Sequence, residues 1–232
     1  MKPSSPAGSR QAGPRWSRRK EARPQELLEA ALDLFVERGY AATRLDAVAA
    51  RAGVSKGTLY LYFANKEELF KAVVRENLLP VLDQAEEVFA CHSGSSAALL
   101  RAFLYGWWER IGLTPLAGLP KLIMAESGNF PEVARFYHDE VVARASAFII
   151  RLLERGISSG EFRPIDPVQA QQIIVAPMLM LMMWTHSNTI CQLTPIAPES
   201  YLECLLDLLQ HGLLAQPAGT TPADVAPAGA SA

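Results

Sequence analysis

A chain of 232 residues, half of them hydrophobic and a fifth charged, is long enough for a small and a medium domain and apolar enough to build a core. Three cysteines (Cys91, Cys191, Cys204) and four scattered histidines (His92, His138, His186, His211) supply neither a disulfide framework nor metal-ligand spacing. The net charge of −2 conceals a division: residues 1–66 carry +6 and residues 67–232 carry −8, so a basic third precedes an acidic remainder, as in a nucleic-acid-binding head on a body of another kind.

Residues 1–23 are rich in Pro, Ser, Gly and Arg and read as a disordered basic arm, with Arg15, Arg18, Arg19 and Lys20 within reach of phosphates. Pro24 suits the first turn of a helix whose apolar stripe is Leu27, Leu28, Ala31, Leu34 and Phe35, ending at Gly39. Thr43 is placed to cap the next helix, Arg44 to Ala52, with Leu45, Val48 and Ala49 on its inner face. Gly53 then supplies a left-handed turn, and Ser55 caps a helix that turns Lys56, Thr58 and Tyr60 outward and Leu59 and Phe63 inward. Two short helices about a tight turn, the second with polar and aromatic residues outward, make a helix-turn-helix.

Asn65 caps a long helix with Glu67 and Glu68 in its first turn, expected to kink at Pro80 and to break at residues 92–96. Further helices are expected at about 96–112, 115–126, 131–157, 166–190 and 198–214, followed by a disordered tail over 215–232. No strand-period segment of useful length occurs, so the expected fold is all-α. Its expected divisions are an arm (1–23), a three-helix DNA-binding head (24–70), a helical body (71–214) and a tail (215–232). The longest apolar run, Ile173 to Trp184, contains Pro177 and is too short to cross a bilayer, and no apolar segment follows the basic N-terminus. A cytoplasmic protein without a membrane partner is expected. Without a Gly-x-Ser-x-Gly elbow, phosphate loop or dinucleotide fingerprint, neither an enzyme nor a cofactor is expected.

The string Gly53-Val54-Ser55-Lys56-Gly57-Thr58-Leu59-Tyr60-Leu61-Tyr62-Phe63, with Lys66-Glu67-Glu68-Leu69 after it, resembles the DNA-binding signature of the TetR (TetR/AcrR) transcriptional regulators. The likeness extends back over Pro24 to Tyr40. It implies a DNA-facing set of Thr43, Arg44, Ser55, Lys56, Gly57, Thr58, Tyr60, Tyr62 and Lys66. Within that set Tyr60 lies in or beside the major groove, Lys56 and Thr58 near base edges or adjacent phosphates, and Thr43, Tyr62 and Lys66 mainly on phosphate. It also implies that the last two long helices pair with their symmetry mates into a homodimer, so that the DNA operator is a palindrome. The body, with Ala125-Glu126-Ser127-Gly128 and Glu161-Phe162-Arg163-Pro164, looks broadly like the effector domains of AefR-type members. A pocket for a small apolar effector is placed among Trp107, Trp108, Met124, Glu126, Phe136, Met178 and Met182; ordinary core packing is the competing reading of each. The expected function is a ligand-responsive regulator, a repressor released by its effector. The alternative is an architectural helical protein that binds DNA with little sequence preference and no effector.

Overall fold

The computed structural model describes residues 15–185 and 196–214, with side chains from residue 24 onward. The arm before residue 15, the expected helix end at 186–190 and the tail after 214 lie outside the described residues. In chain order the helices are α1 (Arg15–Arg38), α2 (Leu45–Arg51), α3 (Lys56–Tyr62), α4 (Lys66–Asn77), α5 (Leu79–Cys91) and α6 (Ser96–Trp107). They continue with α7 (Gly118–Glu126), α8 (Pro131–Tyr137), α9 (Ala143–Ser158), α10 (Pro167–Thr185) and α11 (Pro198–Leu213). The sole β feature among the described residues is an isolated bridge between Phe162 and Leu214.

Several expected boundaries move. Helix α1 starts at Arg15 and runs through Pro24 rather than beginning there; a proline inside a helix forgoes one backbone hydrogen bond without having to end it. The long helix expected to kink at Pro80 is instead two helices, parted at Leu78, with Pro80 in the first turn of α5, where its missing N–H has no intrahelical acceptor to lose. The single helix expected over 131–157 is α8 and α9 joined by a π-helical turn at His138–Val142, and α6 ends in a similar turn at Trp108–Gly112. Pro177 does not stop α10, whose 19 residues are long and apolar enough to span a bilayer, contrary to the reading of that run as too short. Its inner face, Ile174, Met178, Leu181 and Met182, is buried in the protein's own core.

The chain forms two compact units. The first contains residues up to 80 together with 118–138, so α7 and α8, expected with the body, pack with α1 and α4. Four rings knit it: Phe35 stacks on Tyr40, both meet Phe70 edge-on, and Phe130 meets Tyr40 with centroids 4.8 Å apart. Helices α1 and α7 touch so closely that a Cβ on Gly118 would lie 2.5 Å from Val36 Cγ1.

The second unit holds residues 81–117 and those from 139 onward. Its core joins Leu104 and Trp108 to Phe148, Ile149 and Leu152 of α9, Met178 and Leu181 of α10, and Leu202 and Leu206 of α11. Ser55, Asn65 and Ser95 each accept a backbone N–H as side-chain caps of α3, α4 and α6. The start of α6 is also held from a distance: the Glu161 carboxylate accepts the N–H groups of Ser96 at 2.6 Å and Ala97 at 2.9 Å. Cysteine burial, the default for unpaired thiols, does not hold at Cys91 and Cys204, which are free and exposed.

Candidate nucleic-acid interface

The interface is built on α2 and α3. Val48, Ala49 and Leu59 are buried and set the packing of the two helices. Between them Gly53 adopts φ 68°, a left-handed conformation that a side chain would strain. Ser55 Oγ accepts the Thr58 N–H at 3.1 Å, and the two hydroxyls lie 2.9 Å apart, fixing the first turn of α3. Arg51 grips Glu37 through both terminal nitrogens, at 2.6 and 2.8 Å, tying α2 to α1; the hydrogen bond holds the Glu37 carboxyl below its ordinary range.

Of the DNA-facing set, the structure brings Arg44, Ser55, Lys56, Gly57, Tyr60 and Tyr62 to the surface of this unit, with Thr58 half-buried beside them. The Lys56 ammonium lies 2.8 Å from Asp46 and 6.0 Å from the centre of the Tyr60 ring. Its hydrogen bond to Asp46 raises the Lys56 pKa and lowers that of Asp46, so both stay charged at neutral pH. Asp46 thus pre-positions a cation that a phosphate can recruit by substitution.

Two members of the set do other work. Thr43 is 2% exposed, and its hydroxyl lies 3.0 Å from the Leu34 carbonyl and 2.7 Å from that of Gly39. It does not cap α2, whose N-cap is Arg44 without a side-chain bond. Its hydroxyl reaches carbonyls at the buried C-terminal end of α1 and just beyond it instead. Lys66, expected on phosphate, turns its ammonium inward to donate to the carbonyls of Tyr40 at 2.7 Å and Ala41 at 3.1 Å. It stands 4.5 Å over the Tyr40 ring and 5.7 Å from that of Phe130. Burial lowers the Lys66 pKa and the charge of Glu126 opposes the shift. Tyr40 is pushed up to about 12, by burial first and then by Glu67 and Glu132.

One exposed apolar residue was missed. Leu61, on α3, is 83% exposed, yet the motif-derived set passes over it. The signal was in the sequence: Leu61 is two residues from the inward-facing Leu59 and therefore points the other way.

The expected pocket residues divide between the units. Trp107, Trp108, Met178 and Met182 belong to the second; Trp108 and both methionines are in its core and Trp107 packs against it. Among the described residues, the buried indole N–H groups of Trp107 and Trp108 have no hydrogen-bond acceptor. Met124, Glu126 and Phe136 belong to the first unit. Met124 is 62% exposed. Glu126 accepts the Ala41 N–H at 2.9 Å, and Phe136 receives Arg75 over its ring at 5.0 Å.

Residues 27–73 match the model for bacterial regulatory proteins of the tetR family. The HTH-type transcriptional regulator RutR of Escherichia coli (strain K12) is 29% identical over 196 residues, spanning 77% of this chain and 78% of RutR. The uncharacterized HTH-type transcriptional regulator YfiR of Bacillus subtilis (strain 168) is 33% identical over 159 residues, spanning 64% of this chain and 72% of YfiR. Among solved structures, the transcriptional regulator FadR from Bacillus subtilis, in complex with stearoyl-CoA, matches with a TM-score of 0.68 at 21% identity. The match covers 81% of this chain and 98% of FadR, a likeness of fold.

Proposed function

The chain belongs to the TetR family of bacterial regulatory proteins, and on that footing we propose that this DNA-binding transcriptional regulator is a homodimeric repressor of a palindromic operator, released by a small apolar effector. The observation that carries the reading is the face of α3, where Lys56, Tyr60 and Tyr62 stand exposed around a helix anchored by Leu59. Such a helix enters the major groove, and a two-fold pair of them reads half-sites about one turn apart. Arg44 and Lys56 supply charge for phosphates, and Tyr60 supplies an aromatic edge at the bases. Thr43 and Lys66 act beneath this surface, fixing the turn that leads into α2.

Support for a dimer comes from the outer faces of the last two helices. Ile173 on α10 is 66% exposed and Leu208 on α11 is 65% exposed, with Val168 and Met180 also outward. An apolar surface of this kind is stabilised by a second copy of the same helices. Support for an effector comes from Trp107 and Trp108. Buried indole N–H groups ordinarily find an acceptor, and leaving one unmet costs about 1–3 kcal/mol. An apolar ligand bearing a carbonyl or carboxylate would satisfy them beside Met178 and Met182. Only Leu78 separates α5, in part of that unit, from α4 in the head, so a helix shift on binding has a covalent route to the DNA-reading surface.

DNase protection on DNA enriched by the protein from a random pool tests the reading. A short symmetric footprint supports a dimeric operator-binding regulator. Uniform weak protection supports the architectural alternative.

A further inference from the structure

Leu61 occupies the centre of the outward face of α3. Each helical residue turns the chain by about 100°, so Leu61 stands about 200° round from Leu59, which is fully buried. Gly57, two residues before Leu59, shares the outward face one turn earlier. A Cβ there would meet only Ser55 Oγ, at 3.8 Å. The face is therefore bare backbone followed by a leucine, flanked by Lys56 and Tyr60 on one side and Thr58 and Tyr62 on the other. Leu61 is the most exposed large hydrophobic residue among those described, and its exposure brings nothing to the folding of its own unit.

We propose that Leu61 is a specificity-determining residue that packs on the C5 methyl of one thymine in each operator half-site. This rests on the reading of α3 as the recognition helix. The leucine side chain has no donor or acceptor, so it hydrogen-bonds neither phosphate oxygens nor the polar edges of bases. The one apolar mark in the major groove is the thymine methyl. Gly57 lets the backbone of α3 come close to the duplex, and Leu61 reaches furthest from the core behind it. The surrounding charge selects DNA as the occupant: Arg44 and Lys56 flank the face, in a part of the chain that carries +6 over residues 1–66.

The test uses the full-length protein and the operator it enriches from random-sequence DNA. Each thymine is replaced in turn by deoxyuridine, symmetrically in both half-sites, which removes the methyl and keeps the base pairing. Binding is followed by fluorescence anisotropy at fixed salt. For the wild type, one symmetric replacement should weaken binding about fourfold per half-site, the effect of exposing roughly one methyl-sized group. Leu61→Ala should weaken binding to the thymine operator, leave the melting temperature unchanged, and bind thymine and deoxyuridine operators equally at that position. Two results would overturn the proposal: a wild-type protein indifferent to every replacement, or a Leu61→Ala protein that keeps full sensitivity to the methyl. Failure to enrich any operator would overturn the regulator reading along with it, whereas an enriched operator blind to thymine methyls would overturn this assignment alone.

Discussion

Lys66 sits one residue beyond the Asn65 cap, where a lysine can reach toward phosphate or fold back on the protein. The carbonyls of Tyr40 and Ala41 and two aromatic faces draw it back. Hydrogen bonds from a charged donor contribute about 1.5–3 kcal/mol, so Lys66→Ala should lower stability in chemical denaturation by an amount in that range. The salt dependence of DNA binding should stay as steep as in the wild type. A phosphate-binding lysine would instead flatten the slope by about one unit with little change in stability. Local sequence cannot decide such cases. Thr43 and Lys66 each have a chemically sensible partner on either side, and the fold makes the choice. Thr43 finds carbonyls at the end of α1 just before it, and Lys66 finds those of Tyr40 and Ala41 and, from farther along the chain, the Phe130 ring. Leu61 is the opposite case, legible from its offset to Leu59.

Some helix boundaries were read correctly from their own residues: Ser55 and Asn65 cap where expected, α1 stops short of Gly39 and Gly53 takes a positive φ, whereas Thr43 does not cap α2. The π-helical turns at Trp108–Gly112 and His138–Val142 were not legible, because no local residue marks them, whereas the break at Leu78 falls two residues before the Pro80 that marked a kink. The start of α6 mixes the two kinds. Ser95 is a local cap, while Glu161 arrives from beyond α9 to accept two amides. Burial would raise the Glu161 pKa, but the amides of Ala97 and Ser96, with hydroxyls nearby, outweigh it and leave the carboxyl below its ordinary 4.5. A carboxyl whose folded pKa lies below its unfolded pKa stabilises the fold above the unfolded value and loses that effect as pH falls through the folded one. Glu161→Gln should therefore lower the melting temperature at pH 7, with the difference from wild type shrinking below pH 4.5. A constant difference from pH 7 to pH 3 would show that the charge at this helix terminus contributes nothing.

For the whole molecule, the pairing of the last two helices was an expectation from the resemblance, but which of their residues face out was not legible in sequence. Leu205 and Leu209, natural choices for breaking a dimer, pack against the core of their own unit, so a charge there would damage the fold itself. Ile173 and Leu208 face outward. The double variant Ile173→Glu, Leu208→Glu should sediment as a folded monomer with unchanged helicity and lose most of its operator affinity. The loss follows because each head then binds its half-site without a tethered neighbour.

The spacing between half-sites tests the dimeric operator reading most directly. Two heads related by a two-fold axis must enter successive major grooves on one face of the duplex, about 34–36 Å apart. Inserting about five base pairs, half a helical turn, at the operator centre turns the second half-site to the opposite face of B-DNA. Affinity should fall by at least about a hundredfold, the scale on which bivalent binding exceeds one-headed binding, and should recover in part when a full turn is inserted. An affinity that stayed the same across the spacing series would contradict the account.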